Sequence, residues 1–219
     1  RTALVSGAGT GLGKAIAILF ARLGARLVLC GRSAEKLAAT GALVERAGST
    51  ALVQPTNIRV PEEVDALFAQ IERAGVGLDV VVNNAGGQYP QASIDLSDKG
   101  WRAVIDTNLN GTWTMMQRAA RLWRRMAARS GDRSIVNIVA PYRRGMHGLA
   151  HTVAARAAVA QLTRTLAVEW APDGVRVNGV LPGPIATEGL AVYSDEARAA
   201  LARNVPLRRL GDVQDVAEA

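Results

Sequence analysis

The chain has 219 residues, of which 49% are hydrophobic and 21% charged, and this composition is ordinary for a globular protein with a sizeable core. Its formal charge is +7, but the arginines are spread over several predicted helices, which favours a polyanionic cofactor or substrate over a nucleic acid. No apolar run is long enough to span a membrane, no signal-peptide pattern opens the chain, and the lone cysteine excludes an internal disulfide. These features predict a cytoplasmic protein with one domain over residues 1–219, and no metal ion is expected.

Strand and helix patterns alternate along the whole sequence. Short apolar runs predict strands at residues 2–5, 26–30, 50–54, 78–82, 134–139 and 175–181. Helical spacing of apolar residues predicts helices at 14–23, 33–47, 61–74, 98–128 and 152–171. This alternation predicts a doubly wound, Rossmann-type α/β fold, in which one parallel sheet carries helices on both faces. A last helical pattern begins near Asp212 and the sequence stops inside it, so both ends of the domain are expected to be cut.

Residues 6–13, Ser-Gly-Ala-Gly-Thr-Gly-Leu-Gly, lie at the first turn from strand to helix. Glycines there allow a tight turn and the close approach of a pyrophosphate, whose charge the free N–H groups of the helix start attract. The stretch therefore predicts a dinucleotide site, and a plain turn with a helix cap is the alternative. The expected cofactor contacts in this stretch are Gly7, Thr10, Gly11, Leu12 and Gly13.

Ligands of a doubly wound sheet lie beyond the carboxyl ends of the strands, so the loops that follow the other strands are also candidate contacts. Arg32 follows the second strand, where NAD enzymes often place an acid; an arginine suits the 2′-phosphate of NADP(H), unless it is only a solvated side chain. Asn57 follows the third strand and is expected to hydrogen-bond the adenine. Asn83 and Asn84 follow the fourth strand and are expected to brace the cofactor, with a simple turn as the alternative.

Four motifs occur in order, namely the Gly-x-x-x-Gly-x-Gly spacing, Asn83-Asn84-Ala85-Gly86, Asn108-Leu109-Asn110-Gly111 and Pro182-Gly183-Pro184-Ile185. With these motifs the chain resembles a short-chain dehydrogenase/reductase over essentially its whole length. The resemblance implies a nicotinamide cofactor, a homotetramer and a seventh strand after residue 219. Further cofactor contacts are then expected at Ile58, Ala85, Gly86, Pro182, Gly183, Ile185 and Thr187.

The catalytic set usual in that family is an Asn, a Ser and a Tyr-x-x-x-Lys pair, and this sequence matches only the asparagine, at Asn108. No serine follows the fifth strand, Thr152 stands at the tyrosine position and Arg156 stands at the lysine position. An arginine can still hydrogen-bond the nicotinamide ribose and supply positive charge, although it does not readily release a proton. Arg156 is therefore expected to clamp the ribose, with Asn108 ordering water near it.

Within the family the chain looks like peroxisomal trans-2-enoyl-CoA reductases and citronellol dehydrogenase-like proteins, and more distantly like 2,4-dienoyl-CoA reductases. The segments that carry this likeness are 84–89, 99–101, 107–109, 134–138 and 154–157. In the dienoyl-CoA reductases a tyrosine in the loop after the fifth strand donates the proton, and Tyr142 lies close to that place. His151 is the second candidate and solvent is the third; a loop tyrosine and a surface histidine are the alternatives without a catalytic role.

Loss of the Tyr-Lys pair favours reduction of an activated C=C, because an enolate can take its proton from a weak acid, whereas alcohol oxidation needs a base. The sequence therefore predicts an NADP(H)-dependent enoyl-CoA-type reductase. A CoA thioester also fits the basic residues Arg143 and Arg144, unless these only border a solvated loop. A dehydrogenase of terpenoid-like alcohols or aldehydes and a nucleotide-binding scaffold without catalysis remain as alternatives.

Two predicted helices carry more apolar residues than one face of a sheet needs, which favours a homo-oligomer over a monomer. The alternative is that all of them are ordinary core residues. They are Trp113, Met115, Met116, Leu122 and Trp123 in the helix at 98–128, and Val153, Ala157, Val159 and Ala160 in the helix at 152–171.

Overall fold

The structure, a computed structural model, describes residues 1–126, 132–141 and 145–219. Its strands are β1 (Thr2–Ser6), β2 (Arg26–Gly31), β3 (Ala51–Pro55), β4 (Val80–Asn83), β5 (Arg133–Ile138) and β6 (Val175–Val180). They form one sheet in the order β3-β2-β1-β4-β5-β6, and every pairing between them is parallel. The predicted doubly wound Rossmann-type fold is therefore confirmed, with small differences at the strand ends.

Eight α-helices connect and flank these strands in the described ranges. They are α1 (Gly11–Arg22), α2 (Ala34–Arg46), α3 (Pro61–Ala74), α4 (Asp98–Ile105), α5 (Thr112–Arg125), α6 (Ala150–Glu169), α7 (Asp195–Asn204) and α8 (Val213–Ala217). None of the helices in the described part is both long and apolar enough to cross a lipid bilayer. The sequence analysis misses α7, because its alanines and arginines form no apolar stripe and none of its residues is buried.

The single helix predicted at 98–128 is instead two helices, α4 and α5, joined by a π-helical turn at Asp106–Gly111. This turn points the side chain of Asn108 into the protein, where it is fully buried. It also sets the backbone of Gly111 so close to Ile58 that a Cβ on this glycine would lie 2.8 Å from the Ile58 side chain. A π-helical turn within a longer helix often marks a functional site.

Helices cover both faces of the sheet and bury one apolar layer on each. One layer packs α1, α2 and α8 against the strands, and the other packs α3, α5 and α6. Most of the apolar residues expected at an oligomer interface are ordinary core residues, because they are buried within this one chain. These core residues are Met115, Met116, Leu122, Trp123, Val159 and Ala160. Trp113, Val153 and Ala157 keep part of their surface exposed.

Candidate active site

The candidate site lies where the strand order reverses, between the neighbouring strands β1 and β4. In a doubly wound sheet this point opens a crevice beyond the carboxyl ends of the strands. Ser6 and Asn84 join the two loops that border it. The Ser6 hydroxyl oxygen accepts hydrogen bonds from the N–H groups of Asn84 and Ala85, at 3.1 and 3.0 Å. Asn84 Nδ2 donates to the carbonyl oxygens of Ser6 and Gly7, at 3.0 and 3.3 Å, so Asn84 braces the glycine turn itself.

The glycine turn after β1 has no room for side chains. Gly7 has a φ of +66°, and a Cβ there would lie 2.9 Å from Asn84 Nδ2. A Cβ on Gly13 would collide with the carbonyl oxygen of Gly7. Thr10 precedes α1 without a side-chain capping hydrogen bond, which leaves the first N–H groups of the helix without that acceptor. A bare helix N-terminus behind such a turn fits the pyrophosphate of a dinucleotide.

Two cations flank the glycine turn at the end of β2. Arg32 is exposed and makes no ion pair within the described ranges. Lys36 lies one turn into α2, where Ser33 Oγ accepts a hydrogen bond from its N–H, and it also has no carboxylate partner there. A Cβ on Gly9 would lie 2.9 Å from the Cβ of Lys36, so this lysine borders the turn. The sequence analysis missed Lys36, although its position in the first turn of α2 beside Arg32 was a usable signal.

Asn57 and Ile58 follow β3 and have different environments. Asn57 Oδ1 accepts a hydrogen bond from the N–H of Arg59 at 3.2 Å, and the Asn57 N–H donates to Glu63 Oε2 at 2.6 Å. These contacts hold the Asn57 amide at the rim of the crevice, with its Nδ2 unengaged among the described residues. Ile58 is buried, and its side chain packs against Gly111. Only the backbone of Ile58 is therefore free to contact a cofactor.

Arg156 is a buried cation at the carboxyl ends of β4 and β5. Its side chain lies on α6 and is only 8% exposed, and Nη1 donates to the carbonyl oxygen of Ile138 at 3.0 Å. Burial lowers its pKa to about 10, so the group still carries its charge at neutral pH. No carboxylate pairs with it in the part of the chain that the structure describes. A buried charge without a partner is costly, so this site favours a ligand that brings negative charge or hydroxyl oxygens.

The side chain of Asn108 makes two hydrogen bonds to the backbone of Gly87. Its Oδ1 accepts a hydrogen bond from the Gly87 N–H at 3.0 Å, and its Nδ2 donates to the Gly87 carbonyl oxygen at 2.8 Å. The Asn108 carbonyl oxygen in turn accepts a hydrogen bond from Thr112 Oγ1 at 3.0 Å. Asn108 therefore positions the loop after β4, and one Nδ2 hydrogen and one Oδ1 lone pair of its amide are not used in these contacts.

His151 is fully buried and is not the surface histidine that the sequence left as an alternative. Its ring packs edge-on against Tyr89, with centroids 5.0 Å apart and planes at 74°. Nδ1 accepts a hydrogen bond from the N–H of Thr152 at 2.8 Å, so the proton of the neutral ring lies on Nε2, which has no partner among the described residues. Burial lowers the pKa of His151, which keeps the ring neutral at neutral pH.

Thr152 and His151 are neighbours in the same buried environment. The Thr152 hydroxyl is almost fully buried and lies 3.3 Å from His151 Nδ1. Tyr142, with its neighbours Arg143 and Arg144, lies outside the described residues.

The loops after β4, β5 and β6 meet at the front of the crevice. Gln88 Nε2 donates a hydrogen bond to Tyr193 Oη at 2.9 Å, and the Gln91 N–H donates to the Gly148 carbonyl oxygen at 2.9 Å. Gln88 and Tyr193 are 105 positions apart in the sequence. Sequence reasoning missed this contact, because no local pattern pairs two polar loop residues at such a separation.

The segment after β6 lies over the start of α1. Pro182 and Gly183 lead into it, and its base is fixed by a bridge between Ile185 and Gly211. Thr187 then lies against Gly11, because a Cβ on this glycine would be 3.5 Å from the Thr187 Cβ. Leu12 instead packs on the apolar layer under α1. The structure thus brings Thr187 beside Gly11 and Arg156 beside Gly86, and it leaves Leu12, another expected cofactor contact, half-buried at the start of α1.

A substitution at Gly86 tests whether Arg156 belongs to the cofactor site. A Cβ on Gly86 would collide with Arg156 Nη2 and lie 2.8 Å from Asn108 Oδ1. Gly86→Ala should therefore displace the guanidinium and weaken NADPH binding roughly ten- to hundredfold, the worth of one charge-assisted hydrogen bond. Fluorescence titration with NADPH measures the effect.

Gly87→Ala is the matched control, because nothing lies within 4 Å of a Cβ at that position. It should bind NADPH like the unmodified protein. Equal affinities for the two variants would contradict a role of Arg156 in cofactor binding.

Residues 7–219 match the family model described as "Enoyl-(Acyl carrier protein) reductase". The chain is 35% identical to a protein of Bacillus subtilis named "Probable 2,4-dienoyl-CoA reductase", over 99% of this chain and 86% of that protein. Among solved structures, it is similar to the citronellol catabolism dehydrogenase of Pseudomonas aeruginosa, with a TM-score of 0.84 and 38% identity over 99% of this chain and 84% of the other.

A variant of actinorhodin polyketide ketoreductase with NADPH is also similar, with a TM-score of 0.92 and 29% identity, over 100% of this chain and 87% of that one. These three proteins are named for different substrates, and the two solved structures share the fold of this chain. Together with the glycine turn, the Asn84 brace and the buried Asn108, these matches place the chain in the short-chain dehydrogenase/reductase family of oxidoreductases.

Proposed function

We propose that this protein is an NADP(H)-dependent reductase that transfers a hydride to an activated C=C, such as that of an enoyl-CoA. The observation that carries the proposal is the buried, unpaired charge of Arg156 at the family's lysine position. Hydride addition to an enoyl thioester builds negative charge on the carbonyl oxygen, and a fixed cation near the crevice stabilises that charge. The same cation does not readily release its proton, so it cannot act as the base or proton relay that alcohol oxidation needs.

The choice of NADP(H) is supported by the charges at the end of β2. Arg32 and Lys36 flank the glycine turn, and no acid stands where an NAD enzyme would bind the ribose 2′-hydroxyl. A 2′-phosphate would give both cations the partner that they lack among the described residues. The ketoreductase neighbour named with NADPH agrees with this choice.

In this mechanism the nicotinamide supplies the hydride, and the protein holds the dinucleotide. The first turn of α1 would bind the pyrophosphate, and Arg156 would hydrogen-bond the nicotinamide ribose. Asn108 keeps Gly87, and with it the loop after β4, in place. The substrate would lie between the loops after β4 and β6, which meet at Gln88 and Tyr193.

We further propose that Tyr142 donates the proton that completes the reduction. A neutral imidazole is a weak acid, so the buried His151 ring with its lowered pKa is a poor donor at neutral pH. Thr152 carries an aliphatic hydroxyl, which is weaker still as an acid. Positive charge at Arg143 and Arg144 would favour the phenolate that Tyr142 becomes after donation.

An alcohol dehydrogenase is the second candidate, and one contact favours it. Thr152 Oγ1 lies 3.3 Å from His151 Nδ1, which is an arrangement that can pass a proton from a substrate hydroxyl to an imidazole base. The similarity to the citronellol catabolism dehydrogenase points to a terpenoid-like alcohol for this reaction.

A substrate panel separates the two candidates. NADPH consumption is measured with enoyl-CoA thioesters, ketones and aldehydes, and NADP⁺ reduction is measured with citronellol-type alcohols. The proposed reductase should turn over an enoyl-CoA fastest. Turnover of alcohols without any enoyl-CoA reduction would establish the second candidate instead.

Arg32→Asp tests the cofactor preference. The unmodified protein should bind NADPH more tightly than NADH by about 1.5–3 kcal/mol, because an arginine pairs with the 2′-phosphate. The substitution should narrow or reverse this difference in titration calorimetry. Arg26→Asp, at the opposite end of β2, is the control and should leave the preference unchanged. Equal dissociation constants of the unmodified protein for NADPH and NADH would refute the assignment.

Tyr142→Phe tests the proton donor and should lower turnover roughly 10²–10⁴-fold with NADPH affinity nearly unchanged. His151→Ala should have a smaller effect on turnover. Tyr193→Phe is the matched control, because it removes only the hydroxyl that contacts Gln88. Full activity of Tyr142→Phe would show that the proton comes from another donor, either His151 or water. If Tyr193→Phe were inactive in that case, the donor would instead be Tyr193.

We also propose that the protein forms a homotetramer, as its family resemblance implies. Trp101, Trp113 and Val168, on α4, α5 and α6, are 40%, 36% and 78% exposed, which leaves apolar surface for another copy. Light scattering at micromolar protein should give a tetramer mass, and Val168→Glu should lower it. Leu23→Glu changes an exposed residue at the end of α1 and should leave the measured mass unchanged. A monomer mass for the unmodified protein would contradict the proposal.

A cytoplasmic location is proposed on the chemistry of the one cysteine. Cys30 is fully buried, and burial raises the pKa of its thiol to about 12. It therefore acts as a small apolar residue and has no need of an oxidising compartment. Fractionation of cells that make the protein tests this, and recovery outside the cytoplasmic fraction would contradict it.

A further inference from the structure

An acidic side chain lies at the positive end of α1. Gly11 is the first residue of this helix, and a Cβ placed on it would lie 3.5 Å from Glu188 Oε2. Glu188 comes from the segment after β6, directly after Thr187, and its side chain is exposed. It makes no ion pair in the ranges that the structure describes. Its carboxylate thus lies close to the first turn of α1, which has no side-chain cap, and it has no ion-pair partner among the described residues.

The same helix end is the proposed binding site of the cofactor pyrophosphate. A helix N-terminus stabilises a nearby negative charge, so the Glu188 carboxylate is favourable there while no cofactor is bound. The pyrophosphate brings two further negative charges to the same turn. Two like charges a few ångströms apart repel each other even in water, so the carboxylate and the pyrophosphate compete for one positive end.

We propose that Glu188 sets the affinity of the protein for NADP(H) by opposing the pyrophosphate at the N-terminus of α1. The proposal rests on the proposed dinucleotide function of the crevice. The glycine turn and Arg32 attract the cofactor, and Glu188 limits that attraction. Weaker binding of the nucleotide speeds its release, and product release limits turnover in many enzymes.

The structure also contains a place to which the carboxylate can turn. A cavity of about 520 Å³ lies between α1, α7 and the segment after β6, and Glu188, Lys14 and Arg198 all line it. Lys14 makes no ion pair among the described residues, whereas Arg198 already pairs with Asp195. Because Glu188 and Lys14 line the same cavity, a rotation of the Glu188 side chain toward Lys14 would exchange the helix end for a cation.

Glu188→Gln tests the proposal, because glutamine keeps the size of the side chain and removes its charge. NADPH titration of the otherwise unmodified chain should show about three- to tenfold tighter binding at low salt, and the gain should shrink at high salt, where charges are screened. Glu196→Gln is the matched control, since it removes an exposed acid from the first turn of α7. It should change NADPH affinity less than twofold, because solvent and salt screen an exposed charge that does not contact α1.

Several outcomes would overturn the proposal. Glu188→Gln could bind NADPH with unchanged or weaker affinity, or Glu196→Gln could give an equal gain, which would indicate a general effect of net charge. Failure of the unmodified protein to bind any nicotinamide dinucleotide would instead refute the proposed function itself. Lys14→Met adds an independent readout when it is introduced both into the unmodified chain and into Glu188→Gln. It should weaken NADPH binding more in the unmodified chain, because only the Glu188 carboxylate needs this lysine as a partner.

Discussion

The close approach of the loops after β1 and β4 is the constraint on which the rest of the site depends. Gly7 and Gly13 have no space for a Cβ, because Asn84 Nδ2 and the backbone of the turn already fill it. The amide of Asn84 holds both Ser6 and Gly7 by their carbonyl oxygens. This packing also directs the first turn of α1 toward the crevice. A larger residue at either glycine would therefore disrupt both the turn and the anion-binding N-terminus of the helix.

Arg156 changes the chemistry that this scaffold supports. A lysine at this position can exchange a proton, whereas the guanidinium stays charged and offers a planar set of donors. The surroundings are adapted to its size: Gly86 has no side chain where Nη2 lies, and the Asn108 amide holds Gly87 next to it. In the proposed reaction this arrangement would stabilise the developing negative charge and would leave proton delivery to another group.

The sequence predicted the sheet and the crevice because their signals are local. Apolar runs mark each strand, and glycines mark the turn before α1. The missed features depend on contacts between distant residues or on small deviations in the backbone. The π-helical turn around Asn108 spans only six residues, which is too short for its change of helical period to be visible in the sequence. The burial of His151 depends on Tyr89, from another loop, and the contact between Gln88 and Tyr193 joins loops that follow different strands.

The net positive charge of the chain is distributed between cations that pair with carboxylates and cations that do not. On the outer surface, Arg118, Arg124 and Arg125 of α5 pair with carboxylates, so their charge is locally balanced. Arg32 and Arg156 border the crevice and have no carboxylate among the described residues. Exposed ion pairs contribute little to stability, whereas an unpaired buried guanidinium is costly unless a ligand compensates it. In the proposed function, an anionic cofactor in the crevice would compensate the buried charge of Arg156, and the Glu188 carboxylate beside α1 would act against the binding of that cofactor.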